Sequence, residues 1–224
     1  PKKMPDLCGM IMRFRLKKYV LIGDIEKAFL QVGLDTSDRD TTRYLWIKKE
    51  TINELNLTKR DVEMKDIEIR RFKRLPFGVN ASPFLLAAVI ELHLSKIEPM
   101  YENFKNLNTH DTDLNLSDKK DKFEKLCREL AENAYVDDFV MMCEDHNEIK
   151  FKHFWIKEIF KIASMNLREF ISNHEESNNE IQKIEGSEIP KLSKLLGIKW
   201  NVENDELTIP INIPIIAKGT TKRN

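Results

Sequence analysis

The sequence predicts an α+β fold: an antiparallel sheet with helices packed on one face. Three observations lead there. Short β-branched and aromatic runs occur in pairs, as hairpins do, while helix-period segments stand between the pairs and do not follow every strand as in a βαβ alternation. A chain of 224 residues with 41% apolar side chains also has enough material for one sizeable core. A single domain over residues 1–224 therefore suffices, with a two-stranded insertion at 42–74.

From Lys17 the run Lys-Lys-Tyr-Val-Leu-Ile-Gly-Asp reads as a buried strand ending at the carboxylate of Asp24, and Ala28-Phe29-Leu30 as a brief helical or turn segment. Asp35 to Asp40 is a polar loop. Arg43–Ile47 and Ile67–Phe72 form the inserted strand pair, joined by the charged stretch Lys48 to Asp66. Ser82-Pro83 ahead of Phe84–Ile90 marks a helix start, with Ser82 as N-cap, Pro83 at the first helical position, and a largely buried helix after them. Asn103 to Lys120 is the best candidate for a mobile loop, and Phe123, Leu126, Cys127 and Leu130 then recur at helical spacing. Asn133–Val136 and Phe139–Cys143 are strands flanking Asp137-Asp138 in a hairpin turn. Ile149 to Met165 is an amphipathic helix, Leu167 to Ile171 a strand, Asn173 to Glu188 an acidic loop, and Leu195 to Ile209 a terminal hairpin.

Composition excludes several classes. The 37 basic residues balance the 37 acidic ones, so no global basic field advertises nucleic acid. No apolar run approaches the roughly 20 residues that a bilayer needs, and no signal peptide opens the chain. Three scattered cysteines build neither a disulfide framework nor a zinc ribbon, which points to a reducing, intracellular setting. The missing initiator Met and the abrupt ends point to a piece of a longer polypeptide.

The chemistry lies in carboxylates. If the strand ending at Asp24 neighbours the hairpin of Asp137 and Asp138, three carboxylates converge and repel one another unless a cation intervenes. Hard oxygen ligands suit Mg2+ or Mn2+, and two such ions are a known means of driving in-line phosphoryl transfer.

Three segments agree in order and spacing. Gly23-Asp24-Ile25-Glu26-Lys27-Ala28-Phe29-Leu30, Arg74-Leu75-Pro76-Phe77-Gly78-Val79-Asn80-Ala81-Ser82-Pro83 and Tyr135-Val136-Asp137-Asp138-Phe139-Val140 resemble the polymerase motifs of retroelement reverse transcriptases. The closest likeness is to the Bel/Pao class of long-terminal-repeat retrotransposons, and it runs from about Met4 to Asn224.

That resemblance implies a polymerase palm carrying remnants of the fingers, the 42–74 hairpin among them, and the start of the connection to the thumb. It implies an RNA-directed DNA polymerase that joins deoxynucleotides to a primer 3′-hydroxyl on an RNA or DNA template. By the same likeness Asp24, Asp137, Asp138 and the carbonyl of Ile25 hold two Mg2+ ions, with Mn2+ as a substitute. Phe29 is the steric gate under the nucleotide sugar, Phe77 and Gly78 line the nucleotide pocket, and Tyr135 reaches primer or template. Gly197 and Lys199, in Leu195–Trp200, grip the primer. Where the family offers a lysine near the pyrophosphate stands Glu169, beside Arg168, so either Arg168 substitutes or the register slips by one. A catalytically inactive, nucleic-acid-binding relic is the alternative. The implied partners are protease, ribonuclease H and integrase domains of one polyprotein, with no membrane, in the cytoplasm or in virus-like particles.

Lesser signals remain. Lys2–Lys18 and Arg70-Arg71-Phe72-Lys73-Arg74 are basic stretches able to meet phosphate, or else solvated faces. The five histidines show no ligand spacing with the cysteines, and Trp46, Trp155 and Trp200 read as core.

Overall fold

The computed structural model describes residues 5–52, 61–97, 101, 116–186, 190 and 192–210. Most of the predicted Asn103–Lys120 loop lies outside them, but a helix, Leu116–Asn133, already begins within it.

The frame is a four-stranded antiparallel sheet in the order β4-β5-β1-β6. Its strands are β1 (Tyr19–Ile25), β4 (Ala134–Tyr135), β5 (Asp138–Cys143) and β6 (Leu167–Ser172). The β1–β5 register sets Gly23 opposite Phe139 and Asp24 opposite Asp138. Asp138 is thus the first residue of β5, and the turn consists of Val136, with φ of 60°, and Asp137. Between β1 and β6 the register shifts, because Asp24 pairs with Arg168 while Ile22 pairs with Ile171. Glu169 and Phe170 together face Gly23, a β-bulge with Glu169 at φ of 55°.

Side-chain alternation then sorts the two faces. Leu21, Ile25, Phe139, Met141 and Leu167 point into the main core. Three helices cover that face: α3 (Ser82–Ile97), α4 (Leu116–Asn133) and α5 (His146–Ile162). They bring in Leu86, Ile90, Phe123, Leu126, Leu130, Ile156 and Phe160. Val20, Val140 and Ile171 point the other way, against α1 (Leu7–Arg13) and a three-stranded sheet, β7 (Leu192–Leu195), β8 (Ile198–Asn201) and β9 (Glu206–Thr208). Trp200, fully buried, anchors this second cluster edge-on to Phe14 at 5.4 Å. The remaining pair, β2 (Arg43–Ile47) and β3 (Ile67–Arg71), is the predicted insertion, with Arg43 opposite Arg71 and Ile47 opposite Ile67. A single helical turn, α2 (Ala28–Gln31), follows β1.

Several expectations need correction. Ser82 is the first helical residue and not the cap: its hydroxyl donates to the Pro76 carbonyl at 2.7 Å. Helix α3 buries one face only, since Phe84, Leu85 and Leu92 are exposed. The acidic loop is largely α6 (Glu175–Glu185), capped by His174 and ended by Gly186 at φ of 71°. The terminal hairpin has a third strand, and helices do not keep to one face, because α1 packs on the other. Trp46 is not core; it is 48% exposed.

Candidate active site

The alternation that sends Leu21 and Ile25 into the core turns Asp24 toward the β7–β9 side, and Asp138, its cross-strand partner, follows. Asp137 completes the group from the turn. Carboxylate oxygens of the three aspartates lie within 4.8 Å of one another, the one such metal-capable cluster of His, Cys, Asp and Glu among the described residues. Two backbone bonds fix the arrangement: the Ile25 amide donates to the Asp137 carbonyl at 3.0 Å, and the Glu26 amide donates to the Asn166 carbonyl at 2.8 Å.

Electrostatics show what the cluster costs. Partial burial, then repulsion from Asp137, Glu169 and Asp138, pushes the Asp24 carboxyl up to about 6 despite the Arg168 guanidinium. Burial, Asp137 and Glu169 do the same to Asp138, also to about 6. Arg168 lies 3.8 Å from Asp24, 3.7 Å from Glu26 and 3.4 Å from Glu169, too few positive charges for so many carboxylates. A compact set of hard oxygen donors, strained by its own charge, fits divalent cations of the Mg2+ kind.

Other residues are distributed around this centre. Beyond β1, Lys27 at φ of 51° turns the chain so that Phe29 is buried, its ring edge-to-face with Phe77 at 4.9 Å. Phe77 is itself 82% exposed, and Gly78 beside it has φ of 84°, which favours glycine. Tyr135 pairs with Asp138 and packs against the second cluster. A groove of about 450 Å3 runs from Asp24 and Asp138 past Glu169 to Ser193, Lys194, Leu195 and Leu196 of the β7 end. Gly197 and Lys199 are one turn further on and do not line it; Gly197, at φ of 88°, makes the β7–β8 turn, and Lys199 is exposed.

Residues 4–173 match the model of the reverse transcriptase (RNA-dependent DNA polymerase) family. The chain belongs to the reverse transcriptase family. No curated protein matches it. The matched span of this reverse transcriptase domain holds all three aspartates, Ile25, Phe29, Phe77, Gly78, Tyr135, Arg168 and Glu169, while β7 to β9 follow it. The family's reaction is RNA-directed DNA synthesis, on a primed nucleic-acid template with deoxynucleoside triphosphates, and divalent metals serve it generally. Among the described residues no helix is long and apolar enough to cross a membrane.

Sequence reasoning on this reverse transcriptase domain named Arg168 and Glu169 but not their direct electrostatic contact with the aspartates. The pairing of Arg168 with Asp24 depends on the bulge at Glu169 and Phe170, which sets Leu167 and Arg168 one residue out of step with Ile171 and Ser172. Of the groove residues near β7, Leu195 and Leu196 fall in the Leu195–Trp200 segment singled out from the sequence, whereas Ser193 and Lys194 precede it. One signal was readable: a glycine inside an apolar strand marks close approach, and Gly23 lies beneath Phe170.

Proposed function

We propose that this reverse transcriptase domain is the polymerase core of a Bel/Pao-type retrotransposon, transferring a nucleotide from a deoxynucleoside triphosphate to a primer 3′-hydroxyl. The carrying observation is the convergence of Asp24, Asp137 and Asp138 from two strands and a turn within 4.8 Å. Two Mg2+ or Mn2+ ions, held there by the three aspartates and the Ile25 carbonyl, would activate the hydroxyl and neutralise the departing pyrophosphate. The chain's own groups do the positioning. Phe29, with Phe77 against its edge, forms an apolar floor that leaves no room for a 2′-hydroxyl. Gly78 lets the backbone come close to the nucleotide, and Arg168 holds positive charge beside Asp24 where phosphate oxygens arrive. The groove leading to Lys194 suits a primer end, and Tyr135, Gly197 and Lys199, outside its lining, are the further primer or template contacts of this reading.

In this reading residues 1–224 are one palm-centred unit of a polyprotein that also holds protease, ribonuclease H and integrase, and 42–74 is its fingers-like hairpin. The setting is the cytoplasm or a virus-like particle.

The deciding experiment is extension of oligo-dT on poly-rA with Mg2+ or Mn2+. Incorporation that disappears in Asp137→Asn, with the fold intact by circular dichroism, supports the assignment; full activity of that variant refutes it. A second reading, a silent nucleic-acid-binding relic, is favoured by Glu169, which adds negative charge where phosphates must approach. Binding of primer–template with no incorporation under either metal would select it.

A further inference from the structure

On the core side of the sheet, beneath the carboxylate site, lies a buried set of titratable groups to which nucleotide transfer gives no part. His153 of α5 is 5% exposed, and its Nε2 lies 2.9 Å from the carboxylate of Glu185, the last residue of α6. An ionised carboxylate only accepts, so Nε2 carries a proton and donates it. Lys157, one turn on, donates to both oxygens of the same carboxylate at 2.5 and 2.7 Å. Burial, outweighing the Glu185 carboxylate, holds the imidazole below the ordinary histidine value, so the ring is uncharged at pH 7. An uncharged ring packs well on an aromatic one, and Phe170 of β6 meets it edge-to-face at 4.5 Å.

The imidazole has no room to retreat. Glu185 fastens it to α6, and α6 is itself fastened to β6, because Asn178 accepts from the Ser172 amide at 2.8 Å and donates to the Ser172 carbonyl at 2.6 Å. Strand β6, helix α6 and helix α5 thus form a closed circuit whose third link is the Phe170–His153 contact.

That link decides which way the neighbours of Phe170 face. Leu167 and Phe170 both point into the main core, although plain alternation would set residues three apart on opposite faces. The bulge takes up the extra residue, with Glu169 at φ of 55°, and leaves both Arg168 and Glu169 on the carboxylate side. Arg168 Nε then lies 3.8 Å from Asp24, and Glu169 lines the groove beside it. With Phe170 released, the bulge would relax toward plain alternation and turn one of the two away.

We infer that His153 is a positioning residue: by bracing Phe170 it keeps the β6 bulge, and with it Arg168, against Asp24. The inference rests on the proposed function only in giving Arg168 the phosphates of an incoming nucleotide to meet.

Two measurements on the 224-residue chain test it. Hydrogen–deuterium exchange over β6, Leu167–Ser172, should be several-fold faster in His153→Ala than in the parent. It should stay near the parent in His153→Phe, which keeps a ring against Phe170 while Lys157 still pairs with Glu185. In extension of oligo-dT on poly-rA, His153→Ala should lower kcat/KM for dTTP by about tenfold and leave KM for primer–template unchanged, and His153→Phe should restore most of the loss. Arg168→Gln should lose a similar factor, and the double variant His153→Ala/Arg168→Gln should be no worse than Arg168→Gln alone; a merely structural role would add the two losses. Circular dichroism melting checks the fold, and His153→Leu, which keeps volume without a ring edge, replaces His153→Ala if that variant does not fold. Unchanged exchange over β6 overturns the inference, as does an additive loss in the double variant. A parent chain that incorporates no nucleotide would sink the polymerase reading alone, because exchange over β6 still decides the brace; incorporation with unchanged exchange would sink only the brace.

Discussion

A β-carbon added to Gly23 would stand 2.9 Å from the ring of Phe170. That distance is shorter than real contacts allow, so the residue before Asp24 must lack a side chain for the bulged strand β6 to close over β1. Phe170 is pinned from behind by His153, edge-to-face at 4.5 Å, and so has little room to yield. Gly23→Ala should therefore cost about 1–3 kcal/mol as an overpacked site. Urea unfolding measures it, and Phe170→Leu in the same chain should recover part of the loss. Additive effects of the two changes would show that they do not interact.

Asp24 and Asp138 give a pH dependence whose sign is fixed. Both are raised from 3.8 to about 6, so the fold holds their protons more tightly than the unfolded chain does. The stability linked to these protons is present below about pH 4 and is lost as pH rises toward 6. Asp138→Asn should gain stability relative to the parent chain across that window and keep the gain at pH 7. Mg2+ should raise the parent's melting temperature at pH 7.5, do little at pH 4.5, and leave the variant nearly unmoved. A parallel pH course for the two proteins would contradict the raised carboxyl of Asp138.

Lys152 is buried, with its ammonium 2.7 Å from Glu129, 3.0 Å from Glu148 and 2.6 Å from the Met142 carbonyl. Burial pulls its pKa down, but its surroundings, the Glu129 and Glu148 carboxylates among them, hold it above the ordinary lysine value. Lys152→Met should cost about 3 kcal/mol because the partly buried Glu129 carboxylate is left without its partner. Adding Glu129→Leu should restore part of that stability. Chemical denaturation of the single and double variants checks both statements.

Phe29 tests nucleotide choice. It is 6% exposed with Phe77 against it, so trimming it opens space in the core and in the nucleotide floor proposed for it. Phe29→Val should raise ribonucleotide use relative to deoxynucleotide use by about tenfold or more, near 1.4 kcal/mol of discrimination. The ratio of the two kcat/KM values reads this separately from lost stability. An unchanged ratio in a folded variant would assign Phe29 to the core alone.

Strands β1, β2, β3 and β5 and helix α4 were legible because their apolar periods are strong and their ends carry turn or cap residues. The three aspartates were legible for a related reason, since each closes or turns an apolar strand. Helix α6 was not: apart from the partly polar contact of Ser177, its eleven residues bury only Ile181, and Ile184 is 67% exposed, so no stripe stands out. The seven residues of α1 are too few for periodicity to show. Trp46 misled because residue type reports hydrophobicity and not what stands opposite. Arg168 and Glu169 owe their positions to one extra residue in β6, a register effect that local sequence does not carry.

The pairing of Asp24 with Asp138, and the bond from the Ile25 amide to the Asp137 carbonyl, join points of the chain that are far apart in sequence. Closing so long a loop is slow in folding, because entropy is lost before many contacts repay it. Until β5 emerges from the ribosome and docks, the growing chain carries one aspartate of the three. The cation affinity proposed for this centre would therefore be acquired only on completion of the sheet, and it would serve as a direct report that the sheet has formed.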